Sequence, residues 1–208
     1  METLVVGDLH GQVEIVFKVL KLDMPTIFIG DYLDSFNRSV HDQVNTIMAV
    51  RDAIENGQAV GLLGNHELSY FVPGMKCSGW HYATESHIMH FDYSMFKDYT
   101  YAEGFFISHA GISQRLLDSN GITADEYIEA AQFNEIGRYR GGRNTCGGLF
   151  WCDWNKEFEP VEGLPQIVGH TRGDLIRTKG NSYCIDCLED TKPQVLAIKD
   201  GQARVVTL

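Results

Sequence analysis

"IFIGDYLDSF", residues 27–36, opens with three apolar residues and then meets Gly30, Asp31 and, three positions on, Asp34. The apolar run reads as a buried strand. Its end places two carboxylates beside each other at the edge of a core, where mutual repulsion costs energy. The same event occurs five times along the chain. "TLVVGDLHG" ends at Asp8 and His10, "TIFIGDYLD" at Asp31, "AVGLLGNHE" at Asn65, His66 and Glu67, "GFFISHAG" at His109, and "PQIVGHT" at His170. Short runs rich in Val, Ile and Phe and bounded by Gly read as buried strands. Each leads into a loop that begins with a side chain able to ligate a metal.

Helical patterns lie between the first strands. Val13, Val16, Phe17 and Leu20 share one face over 13–20. Val40, Val44, Ile47, Met48 and Ile54 do so over 39–55, and Asn56-Gly57 supplies a stop. Strand, helix, strand, helix, strand implies parallel pairing through right-handed crossovers. In such sheets ligands bind where the strands end, so the five polar loops are expected to converge on one cleft. A helix is expected over 81–97, and another over 123–136 with Thr123 as its cap. From residue 166 the chain turns to short β segments: 166–169, 182–186, 194–198 and 203–207. A second sheet packed on the first gives a β-sandwich flanked by helices, an α/β fold of two mixed sheets.

The 208 residues suit a single domain, with a helical insertion at about 66–103 and a Gly- and Arg-rich loop at 137–148. A hydrophobic share of 44% and a charged share of 22% are ordinary for a globular protein. The net charge of −11 argues against an extended nucleic-acid-binding face. There is no basic-then-apolar leader, and no apolar run approaches the ~20 residues of a membrane span. A cytoplasmic location is expected. The five cysteines fit that compartment. The close pair Cys184 and Cys187 in "YCIDC" lies on what reads as a strand, which favours structural thiols over a redox or zinc motif.

The converging set is Asp8, His10, Asp31, Asn65, His109 and His170. Oxygen ligands mixed with imidazole suit Mn²⁺, Fe or Zn²⁺ better than Ca²⁺. Six ligands are too many for one catalytic ion that keeps an open position. They suit two ions that share a carboxylate. A bound cation reverses the local charge argument, which makes the paired carboxylates tolerable.

"GDLHG", "GDYLD", "GNHE", "HAG" and "GHT", in that order over residues 7–171, resemble the signature blocks of the calcineurin-like metallophosphoesterases. The nearest branch is the PPP type, the serine/threonine protein phosphatases. The resemblance implies a four-layer α/β/β/α fold and two metal ions, with manganese favoured. It assigns Asp8 and His10 to the first ion, Asp31 as the bridge, and Asn65, His109 and His170 to the second. A hydroxide between the ions would attack phosphorus. His66 would protonate the leaving oxygen, and Asp34 would orient and charge-stabilise His66.

Position 35 departs from the pattern. The PPP-type block continues as aspartate, arginine, glycine, with the arginine on the substrate phosphate, whereas here Asp34 is followed by Ser35 and Phe36. Phosphoryl transfer needs positive charge on the non-bridging oxygens. "LFWCDW", residues 149–154, resembles a segment that precedes a second arginine, but no arginine lies between Trp154 and His170. The candidates are Arg143 and Arg140 in the Gly-Arg loop, with Arg138 beside them, and then Arg38. The expected function is a metal-dependent phosphohydrolase acting on phosphomonoesters, with a phosphoprotein, nucleotide or small phosphoester as substrate. The rival within the class attacks a dinucleoside polyphosphate, an RNA end or a phosphodiester. The rivals outside it are a catalytically silent binding module and a zinc module on Cys184 and Cys187.

Overall fold

A computed structural model of the chain describes residues 2–72, 75–131, 147–189 and 192–208. The first half alternates strand and helix: β1 (Thr3–Val6), α1 (Val13–Leu20), β2 (Thr26–Phe28), α2 (Val40–Glu55) and β3 (Ala59–Gly61). Helices α3 (Asn65–Phe71) and α4 (Tyr82–Ile88) follow, then the hairpin β4 (Tyr99–Ala102) and β5 (Phe105–Ser108). Helices α5 (Gln114–Asn120) and α6 (Ala124–Ala131) precede β6 (Gln166–Val168), β7 (Arg177–Lys179), β8 (Ser182–Cys184), β9 (Gln194–Lys199) and β10 (Gln202–Thr207).

The strands form two mixed five-stranded sheets, ordered β10-β9-β1-β2-β3 and β4-β5-β6-β8-β7. The parallel pairs are β1 with β2, β2 with β3, β5 with β6, and β6 with β8; the remaining strands pair antiparallel. The five polar loops therefore leave two sheets, three from the first and two from the second.

Side-chain alternation builds the layers. Val5, Ile27, Ile29 and Leu62 of the first sheet meet Phe105, Ile107, Ile167 and Ile185 of the second in one buried cluster. The alternate residues Leu4, Val6 and Phe28 join an outer cluster with Val16 and Val19 of α1 and Ile47 and Val50 of α2. Phe106 likewise joins Leu116, Leu117, Tyr127 and Ile128 of α5 and α6. Strands buried on both faces need apolar residues at every position, which is why these segments read as continuous runs.

The helix ends follow local chemistry. Ser39 Oγ accepts from the Asp42 N–H at 3.1 Å, and the Asp42 carboxylate accepts back from the Ser39 N–H, a reciprocal cap that starts α2. Thr123 and Glu126 make the same exchange before α6. The helix expected over 81–97 stops at Ile88. Beyond it, Phe91 packs on Tyr93 and Phe96 with ring centroids 4.8 and 5.8 Å apart. Lys97 exchanges backbone hydrogen bonds with Gly61 and Leu63 at the end of β3. That pairing takes 96–97 out of helical geometry. The part of the expected 123–136 helix beyond Ala131 lies outside the described residues.

The inner cluster is what holds the sheets together, so Ile107→Ala is expected to lower unfolding free energy by about 2–5 kcal/mol. Urea denaturation measures it, and a loss under ~1 kcal/mol would show that the sheets do not rely on this layer.

Candidate active site

Five strand ends converge as the pattern requires. β1 delivers Asp8 and His10, β2 delivers Asp31 and Asp34, and β3 leads to Asn65 and His66 at the start of α3. β5 delivers His109 and β6 delivers His170. The glycine before four of the five blocks is there for clearance; Ser108 precedes His109. A Cβ on Gly64 would lie 2.1 Å from Asp31 Oδ1, and one on Gly169 would lie 2.0 Å from Asp8 Oδ1. His10, Asp31, Asp34 and His170 all have left-handed backbone, with φ between 40° and 64°. Such strain in non-glycine residues persists only where surrounding contacts hold it.

Those contacts are mostly backbone amides. The His170 N–H donates to Asp8 at 3.0 Å, and the His66 N–H donates to Asp31 Oδ1 at 3.0 Å. Glu67, fully buried, accepts from the N–H groups of Asp31 and Tyr32 at 2.8 Å and of Gly64 at 2.9 Å. This one carboxylate ties the β2 loop to the β3 loop. Burial, then the charge of Asp31, pushes the Glu67 carboxyl up to about 8.

The imidazoles are oriented by their far nitrogens. A carbonyl only accepts, so Nδ1 of His10 donates to Leu33 O (2.7 Å) and Nδ1 of His109 to Ile29 O (3.0 Å). Each Nε2 is thereby aimed inward, the usual arrangement of a metal-binding histidine. His109 Nε2 and His170 Nδ1 each lie 2.8 Å from Asn65 Oδ1, and His109 Nε2 is 3.4 Å from Asp31 Oδ2. Burial lowers the pKa of His109; burial and then His109 lower His170 to about 3, so both rings are neutral. The Nε2 lone pair of His109 therefore faces the acceptor oxygens of Asn65 and Asp31. A cation is the species that relieves such a set, and the residues fit one. His10, Asp31 and His66 form one group with ligand atoms within 4.8 Å of one another, and Asp31, His109 and His170 form a second; Asp31 is common to both.

The carboxylates respond to each other. Burial, then Asp186 and Asp31, holds Asp8 well above its ordinary range. Burial also acts to raise Asp31, but His109, His66 and His10 outweigh it and hold that carboxyl below the usual range. His66 Nδ1 is 2.9 Å from Asp34 Oδ2. Burial opposes a charge on this ring, yet Asp31 and Asp34 prevail and raise it to about 9.

The cavity over these groups has a volume of about 290 Å³ and is lined by His10, Asp31, Asp34, Asn65, His66 and His170, together with Ser35, Phe36, Ser78, Trp151, Arg172, Asp186 and Glu189. A larger groove of about 470 Å³ runs past Thr3, Pro25 and Gly57, but among the described residues Asp23 is the only carboxylate on it. Size does not locate the chemistry.

Asp186 and Arg172 on this wall escaped the sequence reading. Asp186 ends β8 just as Asp31 ends β2, and "YCIDC" carried the same apolar-run-then-carboxylate signal behind its two cysteines. Burial raises its carboxyl to about 6 against the pull of His10. Arg172 stands two residues past His170 and pairs with Glu189 at 2.6 Å. Position 35 serves the backbone instead of the phosphate. Ser35 Oγ accepts from the N–H groups of Asn37 and Arg38 at 3.2 Å, turning the chain toward α2.

The expected arginines fare differently. Arg38 does not line the cavity; its guanidinium pairs with Glu14 at 2.7 Å, because the Ser35 turn carries it away to α1. Arg138, Arg140 and Arg143 lie outside the described residues. Cys184 and Cys187 are buried and free, with thiols pushed up by burial to about 12 and 11. Among the described residues neither joins a metal-capable group, so the zinc module is set aside.

The chain belongs to the calcineurin-like phosphoesterase family, whose model matches residues 1–195. It is thus a metal-dependent hydrolase of phosphate esters, and the silent binding module gives way to an enzyme. Solved structures share the fold at low identity. A protein serine/threonine phosphatase from Saccharomyces cerevisiae has a TM-score of 0.62 at 12% identity, over 100% of this chain and 79% of that one. The cold-active protein-tyrosine phosphatase of a psychrophilic Shewanella has 0.61 at 14%, over 98% and 80%. A putative diadenosine tetraphosphatase has 0.54 at 14%, over 99% and 93%. A search of curated proteins finds no match. Among the described residues no helix is long and apolar enough to cross a membrane.

Glu67→Gln is expected to set an amide N–H₂ against a backbone N–H and to cost about 1–3 kcal/mol, read from urea unfolding. Isothermal titration with Mn²⁺ should show weaker binding in the same variant, since Asp31 is no longer held. Unchanged stability and unchanged metal affinity would remove Glu67 from this role.

Proposed function

We propose that the protein is a phosphomonoesterase of the serine/threonine phosphatase type that works with two divalent ions, Mn²⁺ by preference. The observation that carries this reading is Asp31, which belongs to both groups of metal-capable side chains. Asp8 and His10 would hold one ion with Asp31, and Asn65, His109 and His170 the other. Two such ions supply a water-derived nucleophile at neutral pH and offset the charge of the phosphate. His66, with Nδ1 on Asp34, presents its Nε2 on the cavity wall 3.8 Å from Asp31 Oδ2, from where it would give a proton to the leaving oxygen. Arg172, on the same wall, is positioned to leave Glu189 and contact a non-bridging oxygen. Buried free thiols at Cys77, Cys184 and Cys187 accord with a reducing, cytoplasmic setting.

A second reading, a nucleotide phosphohydrolase, is favoured by Phe36, which is 79% exposed at the cavity rim and could stack on a base. A panel of phosphopeptides, dinucleoside polyphosphates and phosphodiesters separates the two.

Chelation is expected to abolish hydrolysis and Mn²⁺ to restore it, while Asp31→Asn should lower the content of both ions by elemental analysis. Active protein without transition metal would refute the reading. Arg172→Ala should lower kcat/KM at least ~10-fold, roughly 1.4 kcal/mol, with metal content unchanged. Full activity would return the phosphate contact to Arg140 and Arg143. For His66→Asn, the loss on a phosphoserine peptide should reach ~10²-fold and be smaller on p-nitrophenyl phosphate, whose leaving group needs no proton.

A further inference from the structure

We propose that Tyr70 is a positioning residue for proton donation: its hydroxyl clamps the second oxygen of Asp34, and so fixes the direction in which His66 presents Nε2. This rests on the reading of His66 as the proton donor.

His66 and Tyr70 are four residues apart on α3, so both project from one face of that helix. Both reach the same carboxylate. His66 Nδ1 meets Asp34 Oδ2 at 2.9 Å, and the Tyr70 hydroxyl donates to Asp34 Oδ1. Asp34 is only 1% exposed. Its N–H donates to Gln43 Oε1 at 2.9 Å, which holds the left-handed backbone at that residue. Gly79 presses on the same residue from outside, where an added Cβ would come within 2.6 Å of the Asp34 carbonyl. The backbone of Asp34 is thereby fixed, and the remaining freedom is rotation of its carboxylate. A carboxylate bound at one oxygen can still swing about its terminal torsion, which is soft. Bound at both oxygens it cannot, and the imidazole that reads its direction is fixed too.

Tyr70 suits this role because it is a donor that stays protonated. Burial, then its contact with Asp34, raises the phenol above its ordinary value. The alternative role, ring packing alone, is real: Tyr70 sits against the outer core cluster. The two roles separate because Tyr70→Phe keeps the ring and removes only the hydroxyl.

The test uses the Mn²⁺-loaded full chain and compares Tyr70→Phe, His66→Asn, Asp34→Asn and the Tyr70→Phe/Asp34→Asn double variant. Substrates are a phosphoserine peptide, which leaves as an alkoxide, and p-nitrophenyl phosphate. Tyr70→Phe is expected to lower kcat about 10-fold on the peptide and under about 3-fold on the aryl ester, with KM and metal content unchanged. The double variant should be no slower than Asp34→Asn, since a residue acting through Asp34 has nothing left to position. Equal losses on both esters, full activity on the peptide, or additive losses in the double variant would each overturn the role of Tyr70 while His66→Asn keeps its leaving-group dependence. Equal losses in His66→Asn itself would overturn the donor reading, and the positioning proposal with it. If Tyr70→Phe unfolds, the hydroxyl serves chiefly the stability of the fold and the proposal fails.

Discussion

The Glu67 carboxylate, accepting three backbone N–H groups from two different loops, is the interaction on which the site depends. Strands β2 and β3 are parallel neighbours, so their following loops leave the sheet side by side. Without a shared acceptor, the amides of Gly64, Asp31 and Tyr32 would be buried donors with no partner, each costing about 1–3 kcal/mol. Glu67 satisfies all three and sets the height of Asp31 over the sheet. Asp31 then touches everything else: its carboxylate lies beside His10, His66 and His109. In the proposed mechanism the block Asn65-His66-Glu67 packs ligand, proton donor and clamp into three consecutive positions. The first turn of α3 points them three ways.

The carboxylates that looked costly in the sequence are kept apart by role. Asp8 and Asp31 are held by backbone amides, while Asp34 meets the His66 imidazole and the Tyr70 hydroxyl of α3. Asp186 adds a third buried carboxylate to the wall, beside Asp31 and Asp34. The imidazoles beside Asp31 hold its carboxyl low, while burial drives Asp8 and Asp186 upward. This concentration of negative charge is a standing demand for cations. Their charge would be the largest in the cavity and would reverse the sign of the local field.

Much of the architecture was legible because its causes are local. The runs ending at Asp8, Asp31 and His109 are strands because both faces are covered, which leaves no polar position to break the run. Helix α2 begins at the Ser39–Asp42 exchange and ends at Asn56-Gly57, and Thr123 caps α6; side chains within four residues decide each. The failures have tertiary causes. The 81–97 helix ends early because Lys97 is recruited to the edge of β3, a partner 36 residues away in sequence. β7 escaped because an edge strand of Arg177, Thr178 and Lys179 has no apolar face to show. Arg38 looked available for phosphate, and the Ser35 turn with the Glu14 pair takes it elsewhere.

The sequence by itself determined which metal-capable residues follow the apolar runs and that they share one edge. A ligand-type residue after each apolar run, with a glycine before it in four of the five, is a local pattern, and parallel strands put their ends together. It also determined the family, through the order of the five blocks. Only the tertiary structure decided the geometry among those residues: that the loops come from two sheets, that Asp31 sits in both ligand groups, and that Tyr70 closes on the far oxygen of Asp34. Among the described residues it also decided which arginine faces the cavity: Arg172 does and Arg38 does not. These are distances between side chains set tens of residues apart. Spacing along the chain does not encode them, because they arise where two packed sheets and one clamped helix fix the loops in space.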